Sequence, residues 1–228
     1  MRWWVELIGS GFELSILGQL RSTYSIENEG QRWFLVQEES NDIGREEIRT
    51  KAQDLLDLLN GALVTTGLPP VKIGDKIGRY QEDGARIQMH LVVLPMSLSV
   101  RPTVWTATEE EAYKKSLADS VSERLTLAGE DATVNKVLHM LNTDFLSWTQ
   151  MYRVYEIVKK DANIIKFGWA TDKQLSNFRH HANDPRATGS DSRHGVHNSP
   201  DPPGEPLSFT EANTLIRRIA SEWVKTKL

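Results

Sequence analysis

From Trp3 to about Val104, apolar and polar positions alternate in the manner of half-buried strands. Phe12, Leu14 and Ile16 alternate with Glu13 and Ser15, and Ile87, Met89, Leu91 and Val93 alternate with Arg86, Gln88 and His90. A period of two with β-branched and aromatic content predicts an antiparallel or mixed sheet with one wet face. Glu27-Asn28-Glu29-Gly30 and Glu82-Asp83-Gly84 supply turn chemistry for two hairpins. Between them, Ile48, Ala52, Leu55, Leu56, Leu59 and Leu63 mark one amphipathic helix over about 46–63, ended near Gly67 and Pro69-Pro70.

After Trp105 the period changes to that of a helix. Thr108 is an N-cap candidate, and Glu109, Glu110 and Glu111 follow it in a first turn where the helix dipole favours acids, so a helix over about 109–127 is expected. Gly129-Glu130-Asp131 breaks the pattern. Val134, Val137, Leu138, Leu141, Phe145, Trp148, Tyr152 and Tyr155 then recur at helical intervals, either in one helix or in two split at Asn142-Thr143-Asp144. Capping boxes at Thr171 with Gln174 and at Ser208 with Glu211 open two further helices. The reading is α+β: a sheet domain with one helix over 1–105, then a helical bundle over 106–228.

Composition narrows the function classes. Among 228 residues there is no Cys, which excludes disulfides, thiolate nucleophiles and Cys-ligated metal. The net charge of −4 argues against coating nucleic acid by bulk charge. No run of about 20 apolar residues occurs and the N-terminus lacks a signal-peptide core, so a cytoplasmic protein with no membrane association is expected. Gly-x-Ser-x-Gly, His-Glu-x-x-His and phosphate-loop patterns are missing too, and Gly9-Ser10-Gly11 and Gly74 to Gly78 read as turns. Trp148 and Trp223 sit on apolar helical stripes and are expected in the core, whereas Trp3, Trp4 and Trp33 are either core or the lining of a ligand groove.

The chemistry-bearing residues gather around a connection over 184–207 that has no apolar period and carries five of the nine prolines. His180, His181, His194 and His197 are four of the six histidines, and Arg179, Asn183, Arg186 and Arg193 stand among them. One reading is a solvated linker. A second is a metal held by His194 and His197 with His180 or Asp184, although the spacing matches no helical ligand pair. The third is phosphate chemistry, in which an imidazole moves a proton of a ribose hydroxyl and a guanidinium stabilises the charge on phosphorus; Arg193 and His194 supply both groups. Residues 153–193 hold eight Lys and Arg against five acids, a local excess of positive charge in an acidic chain. The pair Lys159-Lys160 also suits a helix C-terminus with no ligand at all.

Three stretches carry a resemblance: Trp148 to Val158, the turn Ser192-Arg193-His194-Gly195, and Ser208 to Trp223. With them, residues 130–228 resemble the HEPN superfamily of small helical bundles, whose members act in RNA cleavage, phage defence and toxin–antitoxin pairs. The family's catalytic pattern places four to six residues between Arg and His, whereas seven separate Arg186 from His194 and three separate Arg193 from His197. The resemblance therefore implies architecture more than reaction: a prokaryotic accessory or defence protein whose helical half binds RNA or a protein partner, as a homodimer. In the catalytic version, metal-independent RNA cleavage, His194 is the general acid or base and Arg193 the phosphate-stabilising group. Arg179, His180, His181, Asn183, Arg186 and His197 are the expected binding residues. No cofactor is implied. The competing reading is a non-catalytic homo-oligomeric scaffold.

Overall fold

The structure is a computed structural model that describes residues 2–20, 22–40, 42–80, 107–192 and 207–228, together with the backbone of 86–89. Its sheet has five strands: β1 (Arg2–Ile8), β2 (Tyr24–Glu29), β3 (Arg32–Glu38), β4 (Lys72–Tyr80) and β5 (Arg86–Met89). They lie in the order β2-β3-β1-β4-β5, and all four pairings are antiparallel. Gly30, at φ 68°, makes the expected first hairpin, because only a residue without a Cβ adopts that conformation cheaply. Tyr80 pairs with Arg86 as the second hairpin requires, while Glu82-Asp83-Gly84 and His90 lie outside the described residues.

The alternation at Phe12, Leu14 and Ile16 does not form a strand. Residues Gly11–Leu17 form a short helix, α1, a second helix in the sheet half. The apolar positions 12, 14, 16 and 17 satisfy a period of two and a helical spacing alike, and over two turns periodicity cannot choose. Glu13, in the first turn, is buried and accepts a hydrogen bond from the Ser10 hydroxyl.

The remaining described α-helices are α2 (Arg45–Thr65), α3 (Ala107–Glu130), α4 (Ala132–Met140), α5 (Trp148–Asp161), α6 (Asp172–Asn183), α7 (Pro185–Thr188) and α8 (Phe209–Lys225). Thr108 lies inside α3, not at its cap. Asp131 caps α4 by accepting from the backbone N–H groups of Thr133 and Val134. The long periodic stretch is two helices, α4 and α5, and both expected capping boxes are present at α6 and α8. None of the described helices is long and apolar enough to cross a membrane.

Trp3, Val5 and Leu35 face the helices, and Trp4, Phe34 and Val36 form a small cluster on the opposite side of the sheet. Trp3 and Trp4 are thus buried core residues. From Leu59 to Thr65 every side of α2 is buried, because this stretch runs between the sheet and helices α3, α4 and α8. The apolar core is consequently continuous across the change of pattern at residue 105. Two buried asparagines bind loops to it. Asn60 donates to the Val71 carbonyl and accepts from its N–H, both at 2.8 Å. Asn213 does the same for Leu146, at 3.0 and 2.7 Å. Each side-chain amide takes the place of a strand partner.

Candidate functional site

The last turn of α6 carries Arg179, His180 and His181, and successive helical residues point about 100° apart. Each therefore meets a different environment. His181 is buried, with Nδ1 2.9 Å from the Asn177 carbonyl and Nε2 accepting the Leu207 N–H at 3.2 Å. A backbone N–H can only donate and a carbonyl can only accept, so this pair of bonds selects the Nδ1–H tautomer. The ring also stacks beside Trp148 at 6.4 Å. Both nitrogens are engaged in tying the start of α8 to α6.

His180 turns toward α7. Its Nε2 lies 3.4 Å from Oδ2 of Asp184, a carboxylate only 4% exposed. Asp184 caps α7, accepting the Arg186 backbone N–H at 2.9 Å, and Pro185 occupies the first helical position, where its missing N–H costs nothing. The Arg186 guanidinium closes on the same carboxylate through Nη2 at 2.9 Å and Nε at 3.2 and 3.3 Å. His180, Asp184 and Arg186 are therefore brought together, and among the described residues no cluster of three or more His, Asp or Glu side chains is placed to hold a metal. Asn183 donates to the Arg179 carbonyl at 2.8 Å.

The expected loop over 184–207 is partly helical, since α7 is followed by a 3₁₀ turn at Gly189–Asp191. Asp191 Oδ2 accepts the Trp148 N–H at 2.8 Å and its carbonyl accepts the Thr149 hydroxyl at 3.2 Å, so it fastens this segment to the first turn of α5. Arg193, His194 and His197 lie outside the described residues.

Arg179 goes elsewhere. It lines a cleft of about 440 Å³ between the C-terminal end of α5 and α6, whose wall includes Tyr155, Lys159, Lys160, Asp161, Ile164, Ile165, Asp172 and Leu175. Lys159 and Lys160, which the helix dipole alone would explain, line this cleft with the arginine. Among the described residues none of these three cations has an ion-pair partner. Asp161, by contrast, is occupied: its Oδ2 accepts the Trp223 indole N–H at 2.8 Å and lies 3.0 Å from Lys227. The Trp223 hydrogen bond, reinforced by Lys227, holds this carboxyl below the usual carboxylate range. Its negative charge is thus compensated by Lys227. Sequence reading missed the cleft, because Lys159 and Arg179 are twenty residues apart and meet only through helix packing.

Scans against protein-family models, curated proteins and solved structures find no match to this chain.

Proposed function

We propose that the helical half binds RNA, and that the α5–α6 cleft is where it does so. The supporting observation is the set of three cations, Lys159, Lys160 and Arg179, that have no ion-pair partner among the described residues and line one concave surface. Cations in a protein surface ordinarily find carboxylates or spread out; three with no carboxylate partner among the described residues around one cleft favour a polyanion, whose bound counterions are released as it docks. The HEPN resemblance of residues 130–228 agrees with this reading, and the chain then serves as an RNA-binding accessory protein of a defence or regulatory system.

The test is fluorescence anisotropy with labelled RNA over a salt series. Binding whose logarithm falls linearly with the logarithm of salt, and whose slope shrinks by about one to two when Lys159 and Lys160 are both changed to Ala, is the expected result. Binding that is absent at about 50 mM salt, or unaffected by the double substitution, overturns it. The same RNA kept in EDTA and resolved on a denaturing gel addresses the catalytic version: cleavage lost in both Arg193→Ala and His194→Ala assigns it to those residues, and intact RNA removes it.

A further inference from the structure

We infer that the α5–α6 cleft is selective for single-stranded RNA, with one unpaired base stacked on Phe167; this rests on the reading of the cleft as an RNA site. The observation is an aromatic platform on the turn that follows the cleft-lining residues Asn163, Ile164 and Ile165. Residues Asn163, Ile164 and Ile165 line the cleft and begin a tight turn that ends at Trp169. Within it the Asn163 carbonyl accepts the Phe167 N–H at 3.1 Å, the Ile165 carbonyl accepts from Gly168 at 3.0 Å, and the Ile164 carbonyl accepts from Trp169 at 3.1 Å. The Asn163 side chain also accepts the Lys166 N–H at 3.0 Å. Gly168 takes φ 72°, which lets the chain double back over so few residues.

The turn sets the Phe167 ring face to face with Trp169, at 4.8 Å between centroids and 12° between planes. Trp169 is 7% exposed and anchored in the core, whereas Phe167 is 56% exposed. One face of the phenyl ring is therefore braced and the other is open to solvent. An exposed Phe held so firmly gains nothing for folding from its open face, but it offers a flat, preorganised surface on which a base loses little conformational freedom when it binds.

Stacking and charge then act together. Lys166 adds a cation within the turn itself, next to Phe167 in the chain, while Lys159, Lys160 and Arg179 line the cleft. A backbone tracked by cations while its bases stack on aromatic rings is how proteins hold single strands without reading sequence. A duplex presents the same phosphates but hides the base faces in its own stack, so it can use the cations and not the ring. The cleft volume of about 440 Å³ falls within the range that small-molecule-sized ligands occupy.

The experiment compares a labelled oligouridylate of about 12 nucleotides with a duplex of equal length, on the full-length protein and its Phe167→Ala and Phe167→Trp variants. The oligouridylate is expected to bind more tightly than the duplex. Phe167→Ala should weaken the single strand by about ten-fold, the effect of one lost base–aromatic stack, and leave the duplex unchanged, while Phe167→Trp retains the single-strand preference. Circular dichroism confirms that the variants fold. Equal binding of both probes, insensitive to Phe167, overturns the single-strand inference and leaves the RNA reading standing. Failure of both probes overturns the RNA reading as well, as does binding confined to vesicles of phosphatidylserine.

Discussion

Gly61 of α2 lies directly against the backbone of Leu138 in α4: a Cβ built on Gly61 would fall inside the contact radius of the Leu138 carbonyl oxygen and carbon. The obstacle is backbone, so no side-chain rearrangement relieves it. The absence of a side chain at Gly61 is what lets α2 approach α4 closely enough for the sheet and the bundle to share one core. Gly61→Ala is expected to destabilise the protein by about 3 kcal/mol or more, the scale of severe overpacking, seen as a lower midpoint in urea unfolding. Gly129→Ala, in the last turn of α3 with open space around it, is the control and should be neutral or stabilising by about 0.5–1 kcal/mol. A Gly61→Ala protein as stable as this control would show that the helices separate at little cost.

The Asn213 clasp makes a second prediction. Replacing Asn213 by Leu keeps the volume but leaves the Leu146 N–H and carbonyl unpaired in the interior. Two orphaned backbone groups cost about 2–5 kcal/mol together. Asn213→Asp keeps the acceptor and loses the donor, so it should fall between the two. Thermal unfolding of the three proteins orders them, and equal midpoints would mean that water replaces the amide without loss.

The C-terminus is held by a charge network with a defined pH profile. Lys227 lies 3.1 Å from Asp131 and 3.0 Å from Asp161. The Lys227 hydrogen bond holds the Asp131 carboxyl below its ordinary range, and the hydrogen bonds to Asp161 and Asp131 raise the Lys227 ammonium above its own. Depressed carboxyls contribute stability above the unfolded value near pH 4 and lose it as pH falls through their folded values. A raised lysine contributes below about pH 10.4 and loses it as pH rises through its folded value. Because the groups are partly exposed, Lys227→Met should cost only about 0.5–1 kcal/mol near neutrality. The gap between variant and wild type should narrow below about pH 4 and above about pH 10.5, and a gap constant with pH would exclude the network as its source.

Among the described residues Arg124 has no ion-pair partner. It is 5% exposed on α3, its Nη1 donates to the Ser120 carbonyl at 2.7 Å, and its buried Nε has no hydrogen-bond partner. Burial pushes its pKa below the ordinary arginine value. Arg124→Met keeps most of the aliphatic packing and removes the buried charge, so stability should hold or rise by about 1 kcal/mol. A lower unfolding midpoint for Arg124→Met would show that the guanidinium contributes more than its desolvation removes.

Residues Arg179, His180 and His181 show how far a one-dimensional reading of the site can go. They stand together in the sequence with Asn183 and Arg186, and composition marks them as one group. The helix sends Arg179 to the α5 cleft, His180 to Asp184 and His181 to Leu207. Proximity along the chain became a shared side-chain cluster for His180, Asp184 and Arg186, which lie within seven residues of one another across one helix junction. The cleft cations and the Phe167–Trp169 stack carried no sequence motif, because a stacked pair two residues apart looks like any other apolar turn.

What the amino-acid sequence determined by itself is the set of interactions that close within a few residues. The capping boxes at Thr171 and Ser208, the hairpin at Gly30 and the amphipathic stripes of α2 and α8 depend on hydrogen bonds and periodicities spanning a turn or two, and a reader of the chain can count them. The seven residues of α1 were too few for that count to separate helix from strand. Only the tertiary structure decided that Asn213 clasps a residue 67 positions away, that Asp191 accepts the first N–H of a helix 43 positions before it, and that Lys159 and Arg179 share a cleft. Such pairings follow from how whole faces of helices and sheet fill one core, and many chain-distant partners satisfy the same local pattern until packing selects one.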